Sequence, residues 1–76
     1  MTTRYLYDYR TNQAALYQVD EYLYQIGSHA PAHWLDGDYG YDYRRRTPSL
    51  WVNGKFVYGM TGNAATTADP LYYYGD

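Results

Sequence analysis

Aromatic and polar positions alternate along this chain, and the alternation itself returns every seventeen residues. Written in lines from Tyr5, the chain reads YLYDYRTNQAALYQVDE, YLYQIGSHAPAHWLDGD, YGYDYRRRTPSLWVNGK and FVYGMTGNAATTADPLYYYGD. An aromatic opens each line (Tyr5, Tyr22, Tyr39, Phe56), and a tyrosine follows two places on (Tyr7, Tyr24, Tyr41, Tyr58). The thirteenth place of the first three lines holds Tyr17, Trp34 or Trp51, and the sixteenth holds Asp20, Gly37 or Gly54. Self-similarity at a fixed period outranks local propensity, because each repeat is one supersecondary unit.

The line openings have the period of two that marks a strand with one aromatic face. The segments Ala32–Leu35 and Ser49–Val52 supply a second strand to their lines. Asp36-Gly37 and Asn53-Gly54 are hairpin signals of the type I′ kind, which needs positive φ at both central residues. With those dipeptides as two-residue loops, Leu35 pairs with Asp38, Trp34 with Tyr39, Val52 with Lys55 and Trp51 with Phe56. The corresponding first hairpin, turning at Val19-Asp20, sets Tyr17 opposite Tyr22 and Leu16 opposite Leu23. Looser connections fall at 11–14, 27–31, 44–48 and 61–70, with Pro31 and Pro48 where a strand begins and a missing N–H is tolerated. Pro70 takes the same place after a five-residue insertion, which makes Tyr73 the counterpart of Trp51.

The expected fold is therefore all-β. It is an antiparallel meander of about eight short strands built from four 17-residue hairpin repeats (5–21, 22–38, 39–55, 56–76) in one domain spanning 1–76. The arrangements open to it are a single curled sheet, a small barrel or a hairpin solenoid. An α+β alternative puts a helix at about 12–26, with Thr11 as N-cap, Leu16, Val19, Leu23 and Ile26 on one face and Gly27 as stop. The repeat register runs through that segment without a gap and favours strands. One strand face carries the aromatics. The other, with Leu6, Asp8, Leu16, Leu23, Gln25, His33, Gly40, Asp42, Leu50 and Val57, is mixed. The aromatic face is the one expected to be covered, most of its rings forming the core and Trp34 and Trp51 staying partly exposed. Unless the sheet closes, open edges at Arg4–Arg10 and Leu71–Tyr74 invite pairing between chains.

Composition supports a folded chain. Leu, Ile, Val and Phe number only eleven of 76 residues, under the roughly 20 % that accompanies disorder when net charge is high. Here the net charge is −2, and thirteen Tyr and two Trp carry the apolar area. That charge makes nucleic acid an unlikely partner. With zero cysteines there is no disulfide or thiolate metal site. No apolar run reaches membrane-spanning length and the first residues lack a signal-peptide core, so the compartment is cytoplasmic by default, with no membrane insertion.

The pattern W-V-N-G-K-F-V-Y-G-M-T-G (Trp51–Gly62) resembles the aromatic hairpin repeats of choline-binding and glucan-binding cell-wall modules, which also set a tryptophan before a turn glycine and aromatics after it. The resemblance covers about two lines. It departs from the family in its shorter repeat and in Leu50 or His33 where the family has glycine before the tryptophan. What it implies is a carbohydrate or cell-envelope ligand.

Candidate chemistry is sparse. His29 and His33 stand four apart, but Pro31 between them prevents a helix that would aim both at one metal, so no metal and no cofactor is expected. One lysine, one glutamate and serines without a nucleophile-elbow context give no catalytic constellation. The expected function is a non-catalytic protein-interaction or self-associating module, its partner a protein or further copies of the chain in an oligomer or filament. A carbohydrate binder and a small phage- or mobile-element-type inhibitor of a host protein are the alternatives. The candidate binding residues are Trp34, Trp51, Tyr39, Tyr41, Tyr43 and Tyr58, with the basic cluster Arg44, Arg45 and Arg46. A solvent-accessible Tyr39-Tyr41-Tyr43 row would point to binding, and a buried row to scaffold.

Overall fold

A computed structural model describes residues 3–62 and 65–75, and everything in them is strand, turn or loop. The strands are β1 (Thr3–Asp8), β2 (Ala14–Val19), β3 (Tyr22–Gln25), β4 (Pro31–Asp36), β5 (Tyr39–Asp42), β6 (Pro48–Asn53), β7 (Phe56–Gly62), β8 (Ala65–Thr66) and β9 (Tyr72–Tyr74). Seven consecutive antiparallel neighbours run from β1 to β7. β9 then lies between β7 and β1, so the sheet closes on itself as an eight-stranded barrel, with β8 added outside against β7. The two expected open edges pair with each other: Leu6 faces Tyr74, Tyr7 faces Tyr73 and Asp8 faces Tyr72. The helix at 12–26 is not formed. A tight turn at Asp20-Glu21 splits the segment into β2 and β3, which pair with each other, and Leu16 and Leu23 are buried from two different strands.

Closure is four-fold in its logic. Within a line, the first place pairs with the thirteenth and the second with the twelfth: Tyr5–Tyr17 and Leu6–Leu16, Tyr22–Trp34 and Leu23–His33, Tyr39–Trp51 and Gly40–Leu50, Phe56–Tyr73 and Val57–Tyr72. Between lines, the thirteenth pairs with the third of the next: Tyr17–Tyr24, Trp34–Tyr41, Trp51–Tyr58 and, at the seam, Tyr73–Tyr7. After the second place of the first three lines the register shifts by one, and the extra residue is Ala15 on β2, Ala32 on β4 and Ser49 on β6. A bulge bends its strand and raises local twist. Three at one level supply curvature that a regular meander lacks.

The tight turns sit one residue later than the dipeptides suggest. Asp36 pairs with Tyr39 and Asn53 with Phe56, so the loops are Gly37-Asp38 and Gly54-Lys55, and Val19–Tyr22 makes the first loop Asp20-Glu21. Gly37 and Gly54 have φ of 64° and Asp20 of 55°, while the residues after them do not have positive φ. That is the requirement of a II′ turn, with glycine at the first central position, rather than of I′. Every expected cross-turn partner therefore moves by two: Trp34 meets Tyr41 rather than Tyr39, and Trp51 meets Tyr58 rather than Phe56. A slip of two, unlike a slip of one, keeps each side chain on its own face.

The larger correction concerns which face is inside. The core is Leu6, Leu16, Leu23, Leu50, Val57 and Tyr74, with Leu35, Val52 and Tyr72 packed on it. This is the face that reads as mixed, and the tyrosine face is the outer wall. The interior of an eight-stranded barrel is just wide enough to be filled by side chains, so eight or more rings would overfill it. Two leucines, a valine and Gly40 fit the second-place layer. A Cβ on Gly40 would stand 3.0 Å from the Leu50 Cβ. Each buried leucine or valine contributes about 1.5–3 kcal/mol over exposure.

Candidate functional site

The outer wall repeats one unit. A ring at the thirteenth place stacks on the ring it faces in the next line: Tyr17 on Tyr24 (centroids 5.1 Å, planes 10° apart), Trp34 on Tyr41 (5.1 Å, 11°), Trp51 on Tyr58 (5.5 Å, 41°) and Tyr73 on Tyr7 (5.6 Å, 21°). Each such pair adds about 0.5–1.5 kcal/mol beyond area burial. The fifth place of the following line completes the unit. Tyr43 stands edge-on to Tyr22 (6.3 Å, 65°) and to Trp34 (6.2 Å, 84°), and Tyr9 stands edge-on to Phe56 (6.2 Å, 74°). Tyrosine hydroxyls on the wall find local acceptors: Tyr17 donates to Ser28 O at 2.6 Å and Tyr73 to Asn12 Oδ1 at 2.9 Å.

Where the thirteenth place is tryptophan, a groove opens beside it. One, of about 250 Å³, is lined by Tyr22, Trp34, Tyr43 and Arg46. Its counterpart one hairpin on, of about 280 Å³, is lined by Tyr39, Trp51, Met60 and Thr66. The nine expected binding residues thus divide. Trp34, Tyr43 and Arg46 meet in the first groove, Tyr39 and Trp51 in the second, and Tyr41 and Tyr58 back the two tryptophans. Arg44 and Arg45 act through their backbone, donating N–H to Asp42 Oδ1 at 3.0 and 2.9 Å, and their side chains lie exposed. Trp34 and Trp51 are partly exposed, as expected, but Tyr39 and Tyr43 are not core and are 42 % and 44 % exposed. Tyr22, Met60 and Thr66 were not among the candidates. Tyr22 was legible as the first place of its line, but Thr66 arrives on β8, inside the insertion that breaks the period.

The basic loop is held like its partner two lines earlier. Asp8 Oδ1 accepts N–H from Arg10 and Thr11 at 2.8 and 3.0 Å, as Asp42 does from Arg44 and Arg45. These N–H bonds, Thr11 first for Asp8 and Arg45 first for Asp42, hold both carboxyls below the ordinary 3.8. Asn12 and Arg46 close the two loops at the same φ of 60°. Asparagine suits that left-handed backbone and arginine does not. The cation–π contacts belong to other residues, Arg4 over Tyr74 at 3.9 Å and Lys55 near Phe56 at 5.6 Å.

Inside the barrel, the register gathers three residues of triad type. His33 lies across from Asp42, and His33 Nδ1 is 3.1 Å from Ser49 Oγ. Burial lowers the imidazole from its ordinary 6.5, and the Asp42 carboxylate pulls the other way. Ser49 Oγ also reaches Gly40 O at 3.3 Å, and with the hydroxyl donating there it is the Nδ1–H tautomer of His33 that completes the contact. Asp42 Oδ1 is turned to its own loop. The polar contact that joins β4, β5 and β6 is His33–Ser49–Gly40 O, with Asp42 facing His33 in register only. His29, in the 26–30 loop, is exposed and not grouped with it.

No protein-family model, curated protein or solved structure matches the chain. No helix long and apolar enough to cross a membrane occurs among the described residues.

Proposed function

We propose that this chain is a non-catalytic binding module that engages a protein partner through its outer aromatic wall. The observation that carries the reading is the accessibility of Tyr39 and Tyr43, at 42 % and 44 %, beside two half-buried tryptophans. The aliphatic interior is filled without them; Tyr39 has no stacked partner, and Tyr43 keeps much of its ring in solvent beyond its edge contacts with Tyr22 and Trp34. Tyrosine, tryptophan and arginine are the residues enriched where protein surfaces bind, because they offer large, rigid contact area with polar tips. Self-association by strand pairing loses its basis with closure, so association between copies would also have to use the wall.

Photo-crosslinking tests this. A photoreactive residue at Tyr39 or Tyr43 should give a discrete protein adduct in cells that make the chain, and one at exposed Asp20, on a tight turn, should not. Equal labelling from all three positions, or adducts with glycan and none with protein, would replace the reading.

A further inference from the structure

The groove beside Trp34 differs from its counterparts around the barrel in hydrogen-bonding character. We propose that it is a carboxylate-receiving slot, which takes one acidic side chain and an adjacent apolar one from within the chain of a protein partner. This rests on the protein-partner reading above and names the chemistry the partner presents.

The first observation compares equivalent places. At the seam, the thirteenth-place Tyr73 donates its hydroxyl to Asn12 Oδ1 at 2.9 Å, and Asn12 is the eighth place of the line that follows around the barrel. In the first line Tyr17 donates to Ser28 O at 2.6 Å, one place earlier in the next loop. In both units a ring donor meets a loop acceptor. The same two places hold Trp34 and Arg46 where the first groove opens. Indole and guanidinium carry N–H donors and no acceptor, so no hydrogen bond forms between them. Among the described residues neither side chain has another hydrogen-bond or ion-pair partner. The acceptor is left for solvent or a ligand to supply, and the ligand group that matches a guanidinium fork is a carboxylate.

Charge has the same sign. Arg46 follows Arg44 and Arg45, whose side chains are exposed. Asp42, the acid of that loop, has Oδ1 engaged by their N–H groups. Arg46 also stands at φ 60°, the conformation that Asn12 holds in the first loop. Asparagine suits that backbone better than arginine. The backbone thus gives no reason for an arginine there, and a carboxylate partner does.

Size and lining set the rest of the ligand. At about 250 Å³ the slot is smaller than the roughly 300–1,000 Å³ of a small-molecule site, so it takes a piece of something larger. Trp34 gives one face to Tyr41, and Tyr43 stands at 84° to it. Trp34 and Tyr22 then meet an apolar side chain while Arg46 meets the acid beside it. The slot lies on the flank of the barrel, where a partner's chain runs past in both directions, so the carboxylate is a side chain rather than a terminus. The groove beside Trp51, of about 280 Å³, has Met60 and Thr66 in its lining and no charged residue among the described ones. It is an uncharged comparison on the same molecule.

Trp34 and Trp51 are the two tryptophans of the chain, so their indole N–H resonances report on the two grooves separately, and Trp51→Phe assigns them. The test is an NMR titration with peptides capped at both ends, Gly-Phe-Glu-Gly and Gly-Phe-Gln-Gly. At millimolar concentration, the scale of a contact this small, the first should move the Trp34 resonance saturably. The second should bind about tenfold more weakly, the scale of one charge-assisted hydrogen bond. The Trp51 resonance should not distinguish them. Arg46→Gln, on an exposed loop, should bring the glutamate peptide down to the glutamine one, and Lys55→Gln should leave the difference in place. Equal binding of the two peptides, a difference that survives Arg46→Gln, or tighter binding of Gly-Gly-Phe with a free terminal carboxylate overturns the inference. A protein adduct from Tyr43 with no movement of Trp34 by any peptide overturns it while leaving the protein-partner reading standing. Movement with a neutral hexasaccharide of glucose and with no peptide overturns both.

Discussion

Tyr73 stacks on Tyr7, centroids 5.6 Å apart and planes at 21°, across the seam where the last strand of the barrel meets the first. The pair repeats the geometry that Trp34 and Tyr41 adopt across a hairpin, although no turn joins β9 to β1. A double-mutant cycle on Tyr7→Ala and Tyr73→Ala should give a coupling of about 0.5–1.5 kcal/mol by urea denaturation. Additive effects would mean that the seam is held by backbone pairing alone.

The same seam predicts a circular permutant. Gly75 N–H donates to Tyr5 O at 3.0 Å, so one glycine placed between Gly75 and Arg4 creates a Gly-Arg turn like Gly37-Asp38. A chain joined there and opened between Gly54 and Lys55 should fold with a circular dichroism spectrum matching the parent. Opening it within β5 instead should prevent folding.

Inner and outer faces should answer substitution differently. Leu23 is fully buried, and Leu23→Ala should cost about 2–5 kcal/mol by chemical denaturation. Tyr39→Ser, at an exposed position without a stacked partner, should stay within about 0.5 kcal/mol. The reverse ranking would return the rings to the core.

Arg46 and Asp20 hold left-handed backbone without being glycine, at φ 60° and 55°. Releasing that conformation is worth about 1 kcal/mol, less what glycine adds to unfolded-chain entropy. Arg46→Gly and Asp20→Gly should each raise the thermal midpoint, by up to about 4–8 °C for a domain of this size.

Acid should destabilise the barrel in two stages. Burial lowers His33 from 6.5 in the fold, so the unfolded chain binds its proton more tightly. The stability tied to neutral His33 is complete above about 6.5 and is lost as pH falls from there toward the folded value. Asp8 and Asp42 are depressed below 3.8 by N–H bonds, so their contribution is present above that value and lost as pH falls through the folded one. A urea midpoint followed from about pH 7.5 to 3 should show both limbs. His33→Gln should remove the upper limb and leave the lower.

The period, the strand content, the strand starts at Pro31 and Pro48 and the turn tips Asp20, Gly37 and Gly54 were legible because each depends on local backbone chemistry. So was the equivalence of Tyr73 to Trp51, which closes the ladder. The turn register was not, because Asp-Gly and Asn-Gly also fit with glycine as the first loop residue rather than the second. The identity of the inner face was not legible either. Alternation separates Leu6 from Tyr7 but carries no sign of curvature, and bulges at Ala15, Ala32 and Ser49 accompany the bend toward the aliphatic side. Once it bends that way, interior volume selects leucine and glycine over tyrosine. The grooves depend on these outcomes together. Their tryptophans stood out and Tyr22 was legible as a first place, but Thr66 joined them only through the β7–β8 pairing, which no local pattern records.

Because the second and twelfth places carry the interior while the first, third, fifth and thirteenth face solvent, this barrel has two alphabets on one ladder. Letters on the outside can be exchanged, one hairpin at a time, without rewriting those on the inside. That independence gives the chain four separately adjustable panels on a fixed drum, and it makes a 17-residue cassette the natural unit in which its recognition could diversify by descent or be reassigned by design.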